Sequence, residues 1–218
     1  MTDLPADIFA EQEDLDTDTL ANLGPLRGLA GTWEGVKGMD VNPFYDGDRR
    51  QEYVERIELA PIDPQSNGPQ FLYGLRYHTH IVKPGEVETY HDQVGYWLWE
   101  PTTGMILHSL TIPRGQIVLA MGQTTTDATS FEVKAERGST VNGICSSPFL
   151  EAAFRTDSFR MVVTLNANDT WSYFEDTVLQ VHGRAEPYHH TDRNTLVRVA
   201  PPVPNPLAAE ATGEGASA

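Results

Sequence analysis

The sequence predicts an all-β fold, and three observations carry that prediction. About ten strand-like runs follow one another, each bounded by Gly, Pro, Asn or Asp. Several of them alternate large apolar and polar residues with a period of two, the pattern of a sheet with one wet and one buried face. Only one stretch in the body of the chain reads as a persuasive helix. With almost no helix to cover a sheet, the architecture is a sandwich or a closed barrel. Closure removes exposed strand edges, and a barrel of this size can enclose a small ligand.

The expected strands, in order, are Gly31–Val36, Arg50–Glu58, Gln70–Ile81, Glu86–Glu100, Met105–Ile112, Gln116–Thr124, Ser130–Glu136, Ser158–Leu165, Thr170–Val181 and Thr195–Val199. Tyr73, Leu75 and Tyr77 alternate with Gly74, Arg76 and His78, and Phe159, Met161 and Val163 with Arg160, Val162 and Thr164. Leu165–Thr170 and Pro101–Gly104 have the turn composition of hairpin loops, and Pro61–Pro69 reads as an added loop. The helix is Pro148–Phe154, with Ser146 or Ser147 as N-cap and Pro148 at the first position. Glu151 in its first turn suits the helix dipole.

The chain divides into an acidic arm (1–21), a ligand-binding β domain (22–200) and a C-terminal tail (201–218). The arm leaves room for a short helix near Asp14–Leu20. The tail is rich in Pro, Ala and Gly and is expected to be disordered, because it has too little apolar surface to offset its ordering entropy. The formal net charge is −16, with no basic run, so nucleic acid and anionic membrane surfaces are excluded as partners. No window approaches about 18 consecutive apolar residues, and the N-terminus lacks a basic, apolar leader, so the expected compartment is the cytoplasm. The single cysteine, Cys145, permits no intramolecular disulfide and reads as structural. An exposed barrel seam would allow a homodimer without requiring one.

Two motifs decide between sandwich and barrel. The first is Leu29-Ala-Gly-Thr-Trp-Glu-Gly35, where glycines flank Trp33 and the indole can plug a barrel base. The second is His91-Asp-Gln-Val-Gly-Tyr-Trp97, followed by a Pro/Gly turn and a strand ending at Gly115. Together they resemble the nitrobindin family of haem-binding β-barrels, within the calycin group of lipocalin-like and fatty-acid-binding-protein-like folds. The resemblance extends from about Leu23 to Val199. It implies a closed antiparallel barrel with short helices at its ends, binding haem b. It also implies a ferric iron able to take nitric oxide or isomerise peroxynitrite to nitrate, with the protein controlling access and the axial ligand.

The resemblance places the proximal iron ligand in the segment Pro187-Tyr-His-His190, read as a crossover before the last strand. His189 and His190 are adjacent, and which of them points inward is open. His190 is favoured, because Asp192 two residues on can accept from its second ring nitrogen. His91 is expected to line the cavity, and Thr32 of the Gly-Thr-Trp motif is grouped with the cofactor-binding residues. His78 and His80 share a strand face, a pair that can chelate zinc but lacks a third ligand at a signature spacing. His108 and His182 carry no signal. In a different class, the chain is a haem-free carrier of an apolar carboxylate, held by one of the strand arginines Arg76, Arg160 or Arg198.

Overall fold

The computed structural model describes residues 4–13 and 15–204; the expected tail lies outside the described residues from 205 on. A short helix α1 (Thr19–Asn22) and a 3₁₀ turn (Gly24–Leu29) lead into β1 (Gly31–Phe44). There follow β2 (Gly47–Pro61), β3 (Gln65–Asn67), β4 (Gln70–Val82), β5 (Thr89–Glu100), β6 (Met105–Ile112) and β7 (Gln116–Gln123). Then come β8 (Ser130–Arg137), β9 (Gly143–Ser146), helix α2 (Pro148–Ala153), β10 (Phe154–Asn166), β11 (Thr170–Val181) and β12 (Tyr188–Ala200). Eleven strands form the ring β2-β1-β12-β11-β10-β8-β9-β7-β6-β5-β4, which β4 closes by pairing with β2. The small β3 pairs with β4 outside the ring. The chain is therefore an all-β closed barrel.

Period-two patterning explains which side chains fill the barrel. Leu75 and Tyr77 on β4, Trp97 and Trp99 on β5, Ile106, His108 and Leu110 on β6, and Phe159, Met161 and Val163 on β10 are all buried. The residues between them face outward. At the base, Trp33 is buried and its indole Nε1 donates to the Leu29 carbonyl at 2.7 Å. It meets Trp171 edge to face, with centroids 6.2 Å apart. Leu23, Leu26 and Leu29 of the entry segment close the floor beneath these rings. At the opposite end, Ser147 caps α2 by accepting from the Leu150 amide, and Pro148 sits in the first turn. No helix among the described residues is long and apolar enough to cross a membrane.

Several strands differ in length from the sequence expectation, and two of the differences matter for the site. Strand β1 does not stop at Val36 but runs to Phe44. A register shift against β2 between Gly35 and Gly38 lets it continue with its inward phase reset. Both glycines are needed for close approach: a Cβ at Gly35 would stand 2.3 Å from Asn194 Nδ2, and one at Gly38 2.0 Å from the Tyr53 ring. Strand β12 begins at Tyr188 rather than Thr195, so His189 and His190 belong to the last strand and not to a crossover. Ladder pairing with Val178 and Thr177 of β11 draws these two polar residues into the sheet. The stretch Pro61–Pro69 contains β3, and the four-residue β9, absent from the expected set, lies beside β7. The helix expected near Asp14–Leu20 is displaced: α1 starts only at Thr19, and Asp14 lies outside the described residues.

Candidate functional site

Between the tryptophan floor and the mouth at α2 the barrel encloses a cavity of about 510 Å³. That is the size of an ordinary small-molecule site. One wall is apolar, with Ile57, Leu59, Leu110, Val118, Phe159 and Met161. The other, built by β1, β12 and β11, is polar.

The alternation along β12 sorts the adjacent histidines. His190 points into the cavity; His189 points out and pairs with Asp176 of β11 at 2.9 Å. His190 Nε2 lies 2.8 Å from Asp40 Oδ1 and 3.4 Å from Asp192 Oδ2. Asp40 thus takes the nearer position that the sequence assigned to Asp192. Tyr90 and Asn42 both donate to the other Asp40 oxygen, so the carboxylate is held from two sides. Burial pushes the Asp40 carboxyl up, but the hydrogen bond and charge of His190 outweigh it and hold the group below its ordinary range. Burial pulls the His190 imidazole down, and the bond to Asp40 with the Asp192 charge more than restores it, leaving a raised value. Both shifts favour the charged form of each partner at this 2.8 Å contact. Among the described residues, His190 Nδ1 makes no hydrogen bond.

A second layer lies closer to the floor. Glu55 is buried and its Oε2 accepts from the Tyr173 hydroxyl and from Asn194 Nδ2, each at 2.9 Å. Burial lifts its carboxyl to about 7 despite both bonds. Tyr53 and Tyr173 share a 2.8 Å hydroxyl contact beside it. Glu175 also faces inward, and burial first, then the Glu55 and Asp40 charges, raise it to about 7. Its Thr177 partner, at 3.4 Å, offsets this only in part.

On the opposite wall His91 lines the cavity, its Nε2 3.3 Å from Gln93 Oε1. Burial lowers its pKa first, and the nearby Arg114 and His190 charges add to that. Gln93 Nε2 donates to the Tyr77 hydroxyl at 2.6 Å, and that hydroxyl lies 2.9 Å from His108 Nε2. His108 is stacked on Trp97 at 3.8 Å, and among the described residues its buried Nδ1 has no partner. Burial drives its pKa to about 3, so this imidazole is neutral.

Other sequence candidates lie elsewhere. Thr32 does not line the cavity, because it alternates with the inward Trp33 and faces out. None of the three carrier arginines reaches the cavity: Arg76 is exposed between inward Leu75 and Tyr77. Arg160 pairs with Glu132 on the outer face, at 2.5 Å. Arg198 lies at the base, 4.0 Å from the Trp33 ring centroid and paired with Asp169 at 2.7 Å. The cavity's own arginines are Arg49 and Arg114 at the mouth. His78 and His80 lie on the outer wall, where they bond Asp92 and Thr89. Cys145 is exposed on β9.

The sequence reading missed Asp40, Glu55, Glu175, Tyr77 and His108 as cavity residues. His108 was detectable, since it stands in phase with Ile106 and Leu110. Asp40 was not, because its inward phase depends on the shift at Gly35–Gly38.

Residues 22–198 match the family model described as the THAP4-like, heme-binding beta-barrel domain. The crystal structure of Rv2717c from M. tuberculosis superposes with a TM-score of 0.55 at 19% identity. The alignment covers 85% of this chain and 99% of that one, which is agreement in fold. No curated protein matches the sequence.

Proposed function

Because the chain belongs to the THAP4-like, heme-binding β-barrel family, we propose that it binds haem in the barrel cavity with His190 as the axial ligand. One observation carries this reading: of the histidines that line the cavity, His190 has one ring nitrogen fixed by a carboxylate and the other without a hydrogen bond among the described residues. An imidazole whose one nitrogen donates to a carboxylate is oriented, and made more basic, for a metal at the other. The residues present therefore fit the group.

Asp40 sets the ring plane of His190, while Tyr90 and Asn42 set Asp40. The apolar wall keeps water from one side of the cavity, and His91 faces the same space. When bound, b-type haem supplies an iron able to take nitric oxide or to isomerise peroxynitrite to nitrate. The excess of interior carboxylates gives no long-range attraction to anionic peroxynitrite, so that substrate would enter past Arg49 and Arg114 at the mouth.

Hemin titration of the purified chain, followed by visible absorption, tests the reading. The expected result is a sharp Soret band saturating at one haem per chain, and a weaker, shifted band in His190→Ala. A broad, unsaturating absorption in the wild type overturns it.

A further inference from the structure

We propose that the polar wall of the barrel also forms a site for one divalent transition-metal ion, ligated by Asp40, His190 and Asp192. The strand register puts the donors there. Asp40 of β1 stands directly opposite Asp192 of β12, and Asp192 directly opposite Glu175 of β11. Three carboxylates thus sit at one level on three adjacent strands, all lining the cavity. Like charges directly across a ladder repel, and here the repulsion acts in a partly dry interior.

Protein groups neutralise this row only in part. His190 is ion-paired with Asp40 at 2.8 Å, which leaves Asp192 with the same imidazole nitrogen at a longer 3.4 Å. Among the described residues, Asp192 accepts no other hydrogen bond, although it is enclosed by the barrel wall and aimed into the cavity. The two arginines of the cavity do not help: Arg114 donates to the Tyr90 carbonyl, Arg49 lies over the Phe44 ring, and neither forms an ion pair with these acids.

The donor geometry suits an ion. One atom each from Asp40, His190 and Asp192 lie within 4.8 Å of one another. Ligands at about 2.0–2.2 Å from a zinc-sized ion are at most about 4.4 Å apart, so a small side-chain adjustment closes the set. The imidazole nitrogen biases the set toward transition metals such as zinc, cobalt or ferrous iron, while the two carboxylate oxygens also accept manganese. The ion draws on the imidazole invoked for haem but does not require haem, so the two readings are tested separately.

The full chain, haem-free and stripped with a chelator, is titrated with Co²⁺ while its visible absorption is followed, and with Zn²⁺ in a calorimeter. One ion per chain is expected, with affinity at least tenfold weaker in Asp192→Asn and in Asp40→Asn. The ion should raise the Tm of the wild type and not of these variants. Asp192→Asn removes repulsion and should fold, which a metal-free melt checks. No saturable binding at millimolar Co²⁺, or binding that both variants retain, overturns the site. Binding lost instead in a His78→Ala, His80→Ala double variant assigns the ion to the outer wall and overturns it equally.

Discussion

Glu55→Gln should make the protein more stable at pH 8 and leave it little changed at pH 4.5. The buried carboxyl has a folded pKa of about 7 against an ordinary value of 4.5. A raised acid binds its proton more tightly in the folded state, so its stability is fully present below the unfolded pKa and is lost as pH rises through the folded one. The loss falls between pH 4.5 and about 7. At about 1.4 kcal/mol per pKa unit, the full shift is worth roughly 3 kcal/mol. Glutamine keeps an oxygen to accept from Tyr173 and Asn194 but never ionises. Its extra amide hydrogens cost part of the gain, so about 1–3 kcal/mol is expected at pH 8, or several degrees in Tm for a chain of this length. Urea denaturation of both proteins across this range gives the difference curve. It should rise with pH and flatten above about 7. A difference independent of pH, or a less stable variant at pH 8, would refute the reasoning.

Gly38→Ala forces a Cβ to within 2.0 Å of the Tyr53 ring, and that ring is tied by its hydroxyl to Tyr173. A loss of about 1–3 kcal/mol is expected from denaturant melts, and a neutral result would show that β1 can move aside. Trp33→Phe removes the indole donor to the Leu29 carbonyl and leaves space at the floor. The expected cost is about 2–4 kcal/mol, read by the same melts. His189→Ala should leave hemin affinity unchanged within about twofold, since this ring points outward to Asp176. A large loss of the Soret band in this variant would mean the two histidines exchange faces on binding.

What the sequence disclosed depended on whether each feature was local. The alternating runs of β4, β6 and β10 carried their inward faces openly, because a half-buried strand needs no distant information to show its period. The Gly-Thr-Trp floor was legible for the same reason. The polar wall was not. Asp40 faces inward only because β1 shifts register near Gly35–Gly38, and nothing in the adjacent residues announces that shift. Glu55 and Glu175 looked like surface acids in an acidic chain, and only their partners on nearby strands, Asn194 and Asp192, reveal them as interior groups. His190 was chosen over His189 for the sake of Asp192. The structure puts both neighbours on its Nε2 and brings Asp40 closer, from 150 residues away in sequence.

The four-residue β9 has a geometric effect out of proportion to its length. It pairs antiparallel with Gln116–Val118 at the mouth end of β7 and parallel with Glu136–Arg137 at the mouth end of β8. Lower down, β7 and β8 meet directly at Met121 and Lys134. The ring therefore counts one more strand at its mouth than at its floor, and since barrel width grows with strand number, it tapers like a funnel. The same insertion leaves a seam held by short pairings, one of them parallel, beneath Phe149 and Phe154 of the mouth. Amide exchange in the native state should be fastest there. Cargo too broad for the rim would then enter by parting this seam rather than through a fixed opening.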